Sequence, residues 1–185
     1  MRLFIALPFS PGARESLVPV YKHLCEYRDT VKPVEPENYH LTLRFLGEPD
    51  NRTGQQIIEG FSNITIGTGP VPFRLGGLGY FSGKNGPSVF WAGIQSRGTA
   101  IYEIQKLIEH FTASFGFEKE KKRFRPHITV ARARKNMHAP VELIDFIRAG
   151  SETVYTSSTF TRVVLFSSEL KPGGPVYTER GSVPL

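Results

Sequence analysis

The sequence predicts an α+β fold of two similar lobes, each a mainly antiparallel β-sheet with helices on the outside, around a central groove. Short apolar strand patterns alternate with amphipathic helical ones along the chain. The tetrad His, apolar, Thr, apolar occurs twice, as His40-Leu41-Thr42-Leu43 and His127-Ile128-Thr129-Val130. The order of elements repeats at an offset of 87 residues, which sets Phe4 on Trp91 and His40 on His127. In each half an apolar strand precedes the His-x-Thr strand by 36 residues, with a helix between.

RLFIAL (2–7) reads as a buried strand, and Ser10-Pro11 supplies an N-cap and a first-turn proline for a helix over 11–28, kinked at Pro19. Pro33, Pro36 and Asn38 mark a loop, after which YHLTLRFLG alternates as a strand and stops at Gly47. A short helix follows over 53–63, and PFRLGGLGYF from Pro72 is a strand loosened by glycines, with the next break at Gly83, Gly86 and Pro87. SVFWAGI is a buried strand, and residues 97–115 form an amphipathic helix with Ile101, Ile104, Ile108, Phe111 and Phe115 on one face. RPHITVARA is a strand, Pro140 opens a helix to Arg148, and TFTRVVLFSSEL reads as a single strand. PVYTERGSV closes the chain after a Pro172-Gly173-Gly174 turn.

With 185 residues, 39% hydrophobic and 14 of them Phe, the chain can bury a core, and residues 1–185 read as one domain. The lobes correspond approximately to halves 1–86 and 87–185, with strands exchanged between them. Cys25, the single cysteine, lies in an apolar-periodic stretch and reads as a buried thiol. The apolar start is too short for a signal-peptide core or a membrane span, so a cytoplasmic protein is expected, acting as a monomer and away from membranes. The net charge of +6 favours a polyanionic partner. Its placement is more telling: between Lys119 and Lys135 eight basic residues face one acid, Glu120, and His127 lies among them.

Side chains alternate along a strand, so His and Thr of each tetrad share one face and the apolar pair enters a lobe core. Two such strands facing one groove surround a small anion with two imidazoles and two hydroxyls. That set suits phosphoryl-ester cleavage without a metal or other cofactor. A neutral histidine takes a proton from water, a protonated one gives a proton to the departing oxygen, and the hydroxyls with a nearby guanidinium hold the non-bridging oxygens. A lone His-x-Thr is more often a half-exposed strand histidine, but the pair in matching places favours function. A catalytic zinc needs a third ligand, which neither strand offers on its His face. His23, His110 and His138 read as ordinary helix and loop residues.

MRLFIALP, HLTLRFLGE, VFWAGI, RPHITVAR and LFSSEL...GGPVYTE together resemble the 2H (two-histidine) phosphoesterases, in particular the RNA 2',3'-cyclic phosphodiesterases also called 2'-5' RNA ligases. The resemblance spans nearly the whole chain and implies a pseudo-symmetric two-lobed fold. It implies hydrolysis of RNA 2',3'-cyclic phosphate ends, tRNA fragments among them, to 2'-phosphates, with feeble reverse ligation. It maps His40 to the proton donor for O3', His127 to the base for water, and Thr42, Thr129 and Arg132 to phosphate contacts. Strict alternation sets Arg132 on the face opposite His127, so that role requires a strand end, a bulge or a long reach.

Arg123, Arg125, Arg134 and Lys135 are candidates to grip flanking RNA phosphates, and Tyr39 or Phe124 to stack on a base, although packing explains the aromatics equally well. Two alternatives stay open. One is another cyclic-phosphate or 2'-5' oligonucleotide phosphodiesterase of the same superfamily; the other is a non-catalytic RNA-binding module.

Overall fold

The computed structural model describes residues 1–84, 86–172 and 174–185. Two antiparallel sheets form the frame. Strands β1 (Arg2–Pro8), β3 (His40–Gly47), β8 (Arg162–Lys171) and β9 (Gly174–Pro184) make the first sheet, in the order β3-β1-β8-β9. Strands β2 (Val31–Pro33), β4 (Val71–Gly83), β5 (Gly86–Ser96), β6 (His127–Ala133) and β7 (Val154–Phe160) make the second, in the order β2-β6-β5-β4-β7. Each sheet therefore draws strands from both ends of the chain.

Helices α3 (Asn51–Phe61) and α4 (Ala100–Ala113) pack on the first sheet, and α1 (Pro11–Glu15), α2 (Val18–Cys25) and α5 (Val141–Ala149) on the second. Helix α4 sets Ile101, Ile104 and Ile108 fully into the core, as its periodicity predicts, while Phe111 and Phe115 are half-buried. Caps define the starts of α1 and α3: the Ser10 hydroxyl accepts from Ala13 N–H at 3.3 Å, and the Asp50 carboxylate from Thr53 N–H at 2.9 Å.

The structure revises several sequence readings. The helix expected over 11–28 is two helices with a break near Leu17, because Pro19 has no N–H to donate to the carbonyl of Glu15. The loop expected around Pro33 contains β2, which pairs with the outer edge of β6 as Val31↔Ala133, Lys32↔Arg132 and Pro33↔Ala131. The single strand read over 159–170 is the end of β7 and the start of β8, which leave Thr161 at a corner between the two sheets. Phe160 supplies the reason: it is buried in a stack on Phe73 at 4.1 Å and against Phe9 at 5.2 Å, so β7 stays with β4. Cys25 is half-buried, and the Arg28 guanidinium approaches its sulfur to 3.3 Å. Gly173 of the expected Pro172-Gly173-Gly174 turn lies outside the described residues.

The 87-residue offset holds for the two His strands but not for the strands before them. Ala6 stands opposite Thr42 and Trp91 opposite Thr129, so Ala6, not Phe4, is the counterpart of Trp91. The second connection is two residues longer, and the matching order of elements absorbs the difference.

Candidate functional site

In β3 the side chains of His40 and Thr42 are half-buried on one face while Leu41 and Leu43 are in the core; in β6 the same holds for His127 and Thr129 against Ile128 and Val130. Alternation then fails at the same place in both strands. Leu43 and Arg44 are both buried, as are Val130 and Ala131, because the ladder skips one residue there. Phe90 pairs with Ala131 and Trp91 with Thr129, which leaves Val130 as the extra residue of a β-bulge. The bulge reverses the phase of the rest of β6 and brings exposed Arg132 onto the face of His127 and Thr129. Phe45, the counterpart of Arg132 in the first lobe, is 59% exposed for the same reason.

Both imidazoles are held in the same way. His40 Nδ1 lies 2.7 Å from the carbonyl oxygen of Asn38, and His127 Nδ1 lies 2.6 Å from that of Arg125. A carbonyl can only accept, so in each ring Nδ1 carries the proton and Nε2 is the atom that gains or loses one. Burial lowers the His40 pKa to about 4, and the positive charges of Arg132, Arg14 and His127 push the same way against the Asn38 carbonyl. Burial also lowers His127, with Arg132 adding to the effect and the Arg125 carbonyl opposing it. Arg132 therefore lies within electrostatic reach of both rings, and the rings within reach of each other.

Aromatic side chains that the sequence reading did not single out wall the two rings. Phe4, Tyr177 and Phe166 surround His40 with ring centroids 4.8, 5.4 and 6.5 Å away, and Phe81 meets His127 edge-on at 4.9 Å. Their signal lay in the register: Phe4 pairs with Phe166 on the face that carries His40. A cavity of about 340 Å³ opens beside His40, lined by Arg14, Asn38, Phe166 and Tyr177 among others.

The other candidates take different places in the fold. Arg123 and Arg125 are exposed on the segment that leads into His127. That segment is tied to the first lobe by buried Arg44, which donates to the Glu118 carbonyl and lies 3.6 Å from the Glu109 carboxylate. Phe124 is half-buried and packs edge-on against Tyr102 of α4 at 5.9 Å. Arg134 turns away, with its Nε donating to the carbonyl of Arg28 at 2.6 Å. Tyr39 is 1% exposed in the core, at the wall of the cavity beside His40. Among the described residues no three His, Cys, Asp or Glu side chains gather as metal ligands, and no helix is long and apolar enough to cross a membrane.

The model of the LigT-like phosphoesterases matches residues 7–91 and 94–177, two stretches whose starts are 87 residues apart. The chain belongs to the LigT-like phosphoesterase family. This LigT-like phosphoesterase is 34% identical over 182 residues to an RNA 2',3'-cyclic phosphodiesterase of Archaeoglobus fulgidus, covering 97% of each chain. It is 33% identical to one of Thermus thermophilus, covering 96% of this chain and 87% of that one. Its fold matches the crystal structure of TT0787 from Thermus thermophilus with a TM-score of 0.77 at 28% identity, covering 100% of this chain and 98% of the other. E. coli LigT complexed with 3'-AMP shares the fold of this phosphoesterase, at a TM-score of 0.74 and 22% identity, with 100% of this chain and 97% of that one covered.

Proposed function

We propose that this groove hydrolyses RNA 2',3'-cyclic phosphate ends to 2'-phosphates without a metal or other cofactor. The observation that carries the reading is the pair of imidazoles, each with Nδ1 fixed on the carbonyl two residues earlier and both under the charge of Arg132. The names of the relatives at 34% and 33% identity support the same substrate.

In this reading water attacks phosphorus and His127 Nε2 takes its proton, while the P–O3' bond breaks and His40 Nε2 protonates O3'. The products are a 2'-phosphomonoester and a free 3'-hydroxyl. Thr42, Thr129 and Arg132 hold the non-bridging oxygens, where charge must be stabilised in the transition state. With both histidines lowered, the two imidazoles are mostly neutral at pH 7 in the resting site. The anionic substrate supplies the field that protonates His40, since an opposite charge favours the charged form of an imidazole. When the 5'-hydroxyl of a second RNA attacks phosphorus in place of water, with the same proton transfers and O3' leaving, the ends are joined weakly through a 2'-5' bond. Exposed Arg123 and Arg125 draw the RNA to the groove, and the protein acts as a cytoplasmic monomer.

Incubation with an RNA ending in a 2',3'-cyclic phosphate, with and without EDTA, tests this reading. A 2'-phosphate end formed at the same rate in both supports it. A 3'-phosphate product reverses the two histidine roles, and loss of turnover in EDTA ends the metal-free mechanism. Replacement of His40 or His127 by Ala is expected to lower turnover by about 10² to 10⁴ each while sparing RNA affinity.

A further inference from the structure

Arg14 has no place in the mechanism above, yet it lines the cavity beside His40. It is half-buried on α1, its Nε is sealed from solvent without a hydrogen-bond partner, and among the described residues its guanidinium forms no ion pair. Arg14 differs from several arginines that do have a carboxylate partner. Arg2 pairs with Glu48 at 2.9 Å, Arg162 with Glu179 at 2.8 Å, and buried Arg44 with Glu109 at 3.6 Å. Leaving a partly desolvated guanidinium unpaired costs free energy that an anion with acceptor oxygens would recover. Glu37 lines the same cavity and does not take that place.

The rest of the lining describes the anion. Phe166 and Tyr177 offer aromatic surface, and Asn38 and Glu37 offer polar groups, as a nucleoside requires. The cavity lies on the His40 side, where the proposed mechanism puts the ribose, because His40 protonates a ribose oxygen. The charge of Arg14 bears on His40 and is not among the influences on His127, whereas Arg132 acts on both.

We propose that this cavity is a second anion subsite, in which Arg14 binds the phosphodiester on the 5' side of the terminal nucleotide while Arg132 serves the phosphate that is cleaved. The subsite rests on the cyclic-phosphate reading and deepens it: the preferred substrate is an RNA end of two or more nucleotides, since a mononucleoside 2',3'-cyclic phosphate has no 5' phosphodiester to offer.

The test compares a dinucleotide ending in a 2',3'-cyclic phosphate with the mononucleoside 2',3'-cyclic phosphate, in the wild type, Arg14→Ala and Arg14→Lys, each at its own optimum pH. Arg14→Ala is expected to lower the ratio of kcat/KM for the dinucleotide over the mononucleoside by about 10- to 100-fold, through KM, as loss of charge-assisted hydrogen bonds predicts. Arg14→Lys, which keeps the charge without the fork, is expected to fall between. A ratio unchanged in Arg14→Ala overturns the subsite, whatever the absolute rates, and leaves the cyclic-phosphate reading standing. Wild-type protein inert on both substrates overturns that reading and the subsite with it.

Discussion

Phe81 meets His127 edge-on, with ring centroids 4.9 Å apart and planes at 89°. Phe81 in turn lies 5.6 Å from Trp91, whose ring covers Gly79 across the β4–β5 ladder. A Cβ on Gly79 would overlap that ring. Gly79→Ala must therefore displace Trp91, and the disturbance passes through Phe81 to the imidazole. Overpacking of this kind costs about 1–3 kcal/mol, which lowers Tm by roughly 2–12 °C for a chain of this size. Thermal denaturation with kcat on the same sample checks both parts, and a variant with wild-type Tm and kcat refutes the relay.

The pH dependence follows from the direction of the two histidine shifts. The proposed mechanism needs one imidazole protonated and one neutral, and in the free protein both titrate below the ordinary value of 6.5. As pH rises above the higher of the two, the singly protonated form falls about tenfold per unit. The profile of kcat/KM is thus expected to be a bell centred on the acid side of pH 6.5, lower at pH 8 than at pH 5.5. The profile of kcat reports the complex, where the phosphate raises both values, and its bell is displaced upward. Coincident bells for the two parameters would contradict a substrate-driven protonation.

The paired tetrads, the shared strand face of His40 with Thr42 and of His127 with Thr129, and the buried face of α4 were legible because each depends on local alternation or helical period. The bulge at Val130 was not, since it exists only in the pairing of β6 with β5; alternation alone put Arg132 on the wrong face. Thr161 was hidden within a continuous β-forming run, and only the stack of Phe160 on Phe73 shows where the chain changes sheets. Arg14 carried no signal in the sequence, since its unpaired Nε and the cavity it lines are tertiary facts.

Stability should carry the mark of His40 independently of any substrate. Its folded pKa of about 4 lies below the unfolded value, so the folded state binds fewer protons between the two. The contribution is fully present above pH 6.5 and is lost as pH falls toward 4, by about 2–3 kcal/mol. His40→Asn removes the titrating group. The gap in unfolding free energy between wild type and this variant is expected to move in favour of the variant as pH drops from 7 to 4. Denaturant unfolding across that range measures it, and a gap independent of pH would show that His40 titrates normally in the fold.

In the proposed mechanism Arg132 acts both as a charge and as a fork, and two substitutions separate these parts. Burial is the main cause of both lowered histidine pKa values and the Arg132 cation adds to it, so Arg132→Ala should raise both values and move the kcat/KM bell to higher pH. The same change removes donors to the non-bridging oxygens, with an expected loss of about 10²- to 10³-fold in kcat. Arg132→Lys keeps the charge, so the bell should stay near its wild-type position, but an ammonium cannot reproduce the bidentate grip and the rate should still fall. NMR titration of the two imidazoles alongside the pH–rate profiles reads both effects. A bell displaced equally in the two variants would mean that the position of the side chain, and not its charge, sets the histidines. The bulge at Val130 links the two proposed roles, since it turns Arg132 onto the face of His127 and Thr129, where one guanidinium lies within electrostatic reach of both rings.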